Sequence, residues 1–174
     1  MPTITRPGAG EYSEYYQRYV DRVPQGDLVD ILVRQNEGTR ALLGVLPPEK
    51  ARHRYAPDKW SVTEVVGHLA DAERVFAYRA MRIARTDTTP LPGFDEQVYV
   101  PAGRFDARPI ADVVAEFAAV RGATVALIRG LPAESLERRG TASGSPVSVR
   151  GLLYIIAGHE LHHRAVLKER YAIS

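Results

Sequence analysis

The chain has 174 residues, 45% of them hydrophobic, a formal net charge of +2 and no cysteine. That length suits one domain with a full core, expected to span residues 1–174, and the missing thiols exclude disulfides, thiolate metal sites and a catalytic cysteine. Its arginines are spread among acidic residues and leave no nucleic-acid footprint, and no run approaches the ~20 apolar residues of a membrane span. A cytoplasmic setting is expected, with neither nucleic acid nor membrane as partner.

In chain order, the opening "EYSEYYQRYV" is tyrosine-rich and reads as a short helix packed across the longer helices, with a binding surface as the alternative. After "PQGD", with Asp27 as an N-cap, a helical period places Leu28, Ile31, Leu32, Leu42, Leu43 and Leu46 before "PPEK" stops it. A second helix opens at "KWSVTE", where Ser61 and Glu64 have capping-box spacing, and runs through Val65, Val66, Leu69, Ala72 and Phe76 to about Thr86. The 87–108 segment exceeds the ~12 to 15 residues usual for an unstructured connection, and such segments often cover a site. Phe94 and Tyr99 within it, with Trp60, are candidates for a pocket wall or for the core. A third helix starts near Pro109, uses Ile110, Val113, Val114, Phe117, Val120, Leu127 and Ile128, and ends at "RGLP". The fourth starts near Ser148 and carries Leu152, Ile155, Ile156, His159, His163 and Val166. No segment reads as a series of alternating strands, so the pattern predicts an all-α fold, an up-down four-helix bundle or a close variant.

Chemistry concentrates in "GHELHHRAVLKERY", which spells H-E-x-x-H. At ~100° per residue, His159 and His163 stand about 40° apart on one helix face, one turn above the other. His162 lies three residues from His159, so geometry alone leaves the second member of the pair open. The seam Leu152, Ile156, His159, His163, Val166 favours His163. Inward imidazoles need polar partners or a metal ion, because unpaired buried polar groups are costly. A zinc protease of the H-E-x-x-H type draws its third ligand from downstream, and no histidine follows His163. Upstream, His68 faces inward with Val65 and Ala72, while His53 sits in a connection and is the less suited candidate. One histidine on the second helix and two on the fourth would compose a three-nitrogen site; the alternative is a hydrogen-bonded core His68 and a surface cluster. Glu160 is expected to be solvated or to support the ligands, with proton transfer as its catalytic option.

The blocks "RYAPDKWSVTEVVGHLADAERVFAYRAMRIARTDTTPLPGFDEQVYV" and "GTASGSPVSVRGLLYIIAGHELHHRAVLKERY", with "EYSEYYQRYVDRVPQGD" and "EFAAVRGATVALIRGLP", give the chain its kinship. It resembles the DinB/YfiT-like family of small metal-binding helical bundles. The resemblance implies His68, His159 and His163 as ligands of a divalent metal ion, with His162 a neighbour. Zinc or nickel suits such a site best, with iron or manganese also accommodated. It further implies an S-transferase joining an external low-molecular-weight thiol, such as bacillithiol or mycothiol, to a small electrophile held under the 87–108 segment. The alternatives are a metal-dependent hydrolase of small amides or esters, with Glu160 as proton shuttle, and a non-catalytic metal-dependent ligand-binding or stress-response module. A small-molecule substrate and a thiol are the expected partners, and a homodimer through apolar helix faces is the expected assembly.

Overall fold

Each long helix predicted from the sequence forms in the computed structural model, which describes residues 3–173; the ends of the expected 1–174 domain lie outside the described residues. Helix α1, Gln17–Val20, follows a 3-10 turn over Glu14–Tyr16. Helix α2, Leu28–Leu43, starts where the Asp27 carboxylate accepts from the Asp30 amide. A single turn, α3, covers Pro48–Ala51. Helix α4, Val62–Ala84, opens on the full capping box: Ser61 accepts from the Glu64 amide, and Glu64 accepts from the Ser61 amide. Such a cap is worth about 1 kcal/mol and sets the phase of everything α4 presents. Helix α6 is Ile110–Arg129, with Pro109 at its cap, and α7 is Val149–Tyr171, capped by Ser148.

Two expectations change. The 87–108 segment is not a bare loop: it holds α5, Glu96–Gly103, capped by Asp95, and a 3-10 turn over Phe105–Ala107. Strands also occur. β1, Arg139–Ala142, and β2, Ser145–Ser148, form an antiparallel hairpin, with Leu91 bridging to Ala142. Its turn places Ser143 and Gly144 at φ 51° and 74°, the paired positive values of a tight hairpin turn. Four-residue strands rich in glycine, serine and proline carry too few alternating positions to register as strands in the sequence.

Helix α4 packs on α6 and α7, and α2 packs on the same two helices. The consecutive long helices α2 and α4 therefore face each other across the bundle diagonal, a variant of simple up-down order. The core falls into two apolar halves, one around Leu32, Phe76 and Leu152, the other around Leu43, Leu69, Phe117 and Leu167. Between them all four helices supply a polar layer. Arg121 of α6, 1% exposed, donates to Glu73 of α4 through Nε at 2.7 Å and Nη2 at 2.8 Å. Its Nη1 donates to the Leu32 carbonyl at 3.1 Å and lies 2.7 Å from Glu160 Oε2, an ion-pair contact off the hydrogen-bond axis. Thr39 of α2 donates to Glu160 Oε1, and Gln35 donates to the Ala157 carbonyl. Burial opposes the Arg121 charge, but Glu73 and Glu160 outweigh it and raise the pKa.

The N-terminal segment is tied to the start of α7 by Glu11. Its carboxylate accepts two bonds from Arg150, one from Ser148 Oγ and one from the Gly8 amide. Arg150 above all holds the Glu11 pKa down, to about 2. This tether carries α1 onto α7, beside the histidines.

Candidate functional site

Capping fixes the rotation of α4 and α7, and with it the aim of three histidines. His68 from α4 and His159 and His163 from α7 point their Nε2 atoms at one place. The His68 and His163 nitrogens each lie 3.1 Å from that of His159, and all three fall within 4.8 Å of one another. Nitrogens sharing one ion at zinc–nitrogen distances lie about 3.0–3.4 Å apart, so the two 3.1 Å spacings fit a common divalent ion. His68 and His159 are buried and His163 is half-buried. Burial lowers the His68 pKa to about 4. Burial and the neighbouring histidines put His159 and His163 well below the ordinary value. The rings are therefore neutral near pH 7 and offer lone pairs rather than charge. Three such lone pairs aimed at one point repel unless a proton or a cation lies between them, and this donor set suits a borderline metal ion.

A glycine before two of the three histidines, His68 and His159, makes this packing feasible. A Cβ on Gly67, next to His68, would sit 2.4 Å from the Phe105 ring, and one on Gly158, next to His159, would sit 2.0 Å from the Tyr19 carbonyl oxygen. A helix-interior glycine costs about 1 kcal/mol relative to alanine. Here it admits α1 so closely that the Tyr19 ring stands edge-on to His159, with centroids 5.4 Å apart. Phe76 contacts His159 at 5.9 Å, and Trp60 contacts His68 at 4.8 Å.

Two cavities meet at the cluster. One, of about 200 Å³, is walled by Tyr16, Tyr19, Phe76 and Phe94. The other, of about 260 Å³, has Asp58, Lys59 and Gln97 on its wall. Trp60, His162 and His163 line both.

The other sequence candidates separate clearly. His53 is exposed, sets its ring against Tyr171 at 6.1 Å and takes no part in the cluster. His162 stands 5.2 Å, ring to ring, from His163 and from Tyr19, and its Nδ1 is buried without a hydrogen-bond partner among the described residues. Glu160 departs from expectation. It is 1% exposed and held by Thr39 and Arg121 in the polar layer, so it is neither solvated nor free to shuttle a proton at the histidines. One position along α7 turns the side chain by ~100°, away from the His159 face. Trp60 and Phe94 line the first cavity, whereas Tyr99 stands behind Phe94 at 5.5 Å.

Sequence reading set packing and a binding surface against each other as alternatives for the tyrosine run, whereas the run takes part in both. It packs across the bundle as expected, and Tyr16 and Tyr19 also form the cavity wall. Burial raises the Tyr19 phenol to about 12, so it stays protonated, and Arg18 donates to its hydroxyl. The signal was available in the three-residue spacing of Tyr16 and Tyr19, which sets the two rings 6.0 Å apart on one side of the short helical segment.

Residues 31–167 match the sequence profile of the DinB superfamily. Among solved structures, the chain is similar to YfiT from Bacillus subtilis, described as a probable metal-dependent hydrolase with an unusual four-helix bundle topology. The two share 18% identity at a TM-score of 0.72, over 98% of this chain and 95% of that one, which shows a common fold. No curated protein matches the chain.

Proposed function

Since the chain belongs to the DinB superfamily, we propose that it is a divalent-metal-dependent enzyme that transfers a low-molecular-weight thiol to a small electrophile. The observation that carries this reading is the convergence of three neutral imidazole nitrogens, two buried and one half-buried, where two cavities meet. His68, His159 and His163 would hold the ion, with zinc or nickel the best-suited metals. When bound, the ion supplies positive charge that lowers the pKa of a thiol or water beside it.

The chain's own residues do the rest. Tyr19, Phe76 and Trp60 pack against the imidazoles, hold their orientation and exclude bulk water. The aromatic cavity suits the electrophile. The second cavity, with Asp58, Lys59 and Gln97 on its wall, suits a polar thiol such as bacillithiol or mycothiol. In the transfer, a sulfur–carbon bond forms, the leaving group departs from that carbon with its electron pair, and the thiol proton goes to solvent. Two cavities meeting at one cluster favour a two-substrate reaction over simple hydrolysis. The hydrolase reading draws support from the description of YfiT, but Glu160, its expected proton shuttle, is bound within the polar layer.

The test is conjugation by zinc- or nickel-loaded protein of bacillithiol, mycothiol or glutathione to monochlorobimane and to an aromatic epoxide. Metal-dependent thioether formation, lost in His68→Ala, is the expected result. Turnover of esters or amides without thiol would favour the hydrolase. Tight ligand binding without any product would favour a non-catalytic binding module.

A further inference from the structure

Two arginines are buried among the described residues, and their surroundings differ. Arg121, 1% exposed, lies between two carboxylates. Arg79, 2% exposed, has no carboxylate partner among the described residues. Its Nη2 donates to two neutral oxygens, the Pro92 carbonyl at 2.7 Å and Ser143 Oγ at 2.9 Å, and Tyr16 is its other polar neighbour. Burial pulls the Arg79 pKa down, with Tyr16 partly opposing it, which is the direction for a cation without a counter-charge. A buried guanidinium left this way is costly, and a planar fork of N–H donors is the group that grips a carboxylate in two-point fashion.

Its position links it to the histidines. Arg79 lies eleven residues after His68 on α4, about three turns on and ~20° from the same face. Its guanidinium centre is 5.8 Å from the Phe76 ring and 6.0 Å from the Phe94 ring. Those two rings, with Tyr16 and Ser143, are walls of the histidine cavity. Arg79 itself opens onto an adjoining cavity of about 280 Å³ that shares Phe94. A molecule lying across the Phe94 ring therefore touches both spaces. The route is short: Phe76 contacts His159 on one side and Arg79 on the other.

We propose that the electrophilic substrate is a small organic carboxylate, its acid group held by Arg79 beside Tyr16 and Ser143 and its reacting end turned toward the three histidines. This rests on the histidine cluster being the reaction site and names the substrate class that cluster serves. Ser143, presented by the hairpin turn, accepts from Arg79 Nη2 and orients the guanidinium.

The experiment is calorimetric binding of cinnamate and its neutral isostere cinnamamide to the full chain, stripped of metal by chelation and again loaded with zinc. The acid should bind about tenfold or more tightly than the amide in both states. R79Q should erase the preference while still binding the amide, and R79K should keep part of it. Equal affinities in the parent, no binding of either probe, or a preference that survives R79Q would overturn the proposal. A preference seen only with zinc would mean that the metal takes the carboxylate; it would sink the role of Arg79 and leave the metal reading standing. A preference in the stripped protein that fails to bind zinc would do the reverse. The comparison in the parent protein decides the matter even if R79Q does not fold.

Discussion

His159 and Glu160 are neighbours on α7, yet they belong to two buried polar layers of opposite kind. Glu160 enters a layer whose charges the chain balances itself: Arg121 meets Glu73 and Glu160, Thr39 and Gln35 take up further donors and acceptors, and Glu160 Oε2 is held by the Arg121 charge alone. His159 enters a layer that the chain leaves incomplete, where three neutral nitrogens face one another, none bonded to a carboxylate among the described residues, with Glu96 on the cavity wall. A closed polar layer holds helices in register. An open one is a seat for something from outside, and its position at the meeting of two cavities gives that something substrates to act on.

The largest effect should come from breaking the closed layer. Arg121→Met leaves two buried carboxylates without their cation and should cost about 3–5 kcal/mol in urea unfolding. The protein that remains folded should still bind metal, since the layers share no side chain. A smaller loss would mean that water reaches Glu73 and Glu160 and that the layer is not closed. Gly158→Ala attacks the open layer from behind, because the new methyl would meet the Tyr19 carbonyl. It should lower stability by about 1–3 kcal/mol and speed metal release to a chelator, with every ligand intact. A next step down is the Glu11 tether, where Glu11→Gln should cost about 2 kcal/mol. The Glu11 pKa in the fold, about 2, lies below the ordinary 4.5, so its stabilisation is full above 4.5 and is lost as pH falls toward 2. Urea melts across that window should show the parent losing stability more steeply than the variant. The smallest effect belongs to His162→Ala, which removes an imidazole beside the cluster but outside it. Metal stoichiometry should be unchanged, and a large loss would make His162 a ligand and redraw the open layer.

The sequence showed the open layer better than the closed one, for a physical reason. His159 and His163 repeat at helical spacing within one segment, and His68 lies on a helix whose start Ser61 and Glu64 announce. The polar layer instead joins residues far apart in the chain, such as Thr39 and Glu160, and only the diagonal packing of α2 and α4 brings all four helices to one level. Its signal was present as charged residues inside apolar seams, Arg121 after Phe117 and Glu73 between Leu69 and Phe76. Read singly, each passes for a surface position. Glu160 was misjudged because the H-E-x-x-H spelling invites a role at the histidines, whereas a one-residue step turns it toward α2 and α6. The paired glycines were equally visible and equally mute, since nothing local says that Phe105 and Tyr19 come so near. Arg79 needed the fold most, because its lack of a carboxylate is a property of its surroundings.

The most direct test of the open layer is the metal content of the protein by elemental mass spectrometry, beside His68→Ala, His159→Ala and His163→Ala, with His162→Ala as control. The account predicts close to one divalent ion per chain in the parent and the control, and a large loss in each of the three ligand variants. Absence of metal from the parent after reloading with zinc, nickel, iron and manganese, or full retention in His68→Ala, would contradict it.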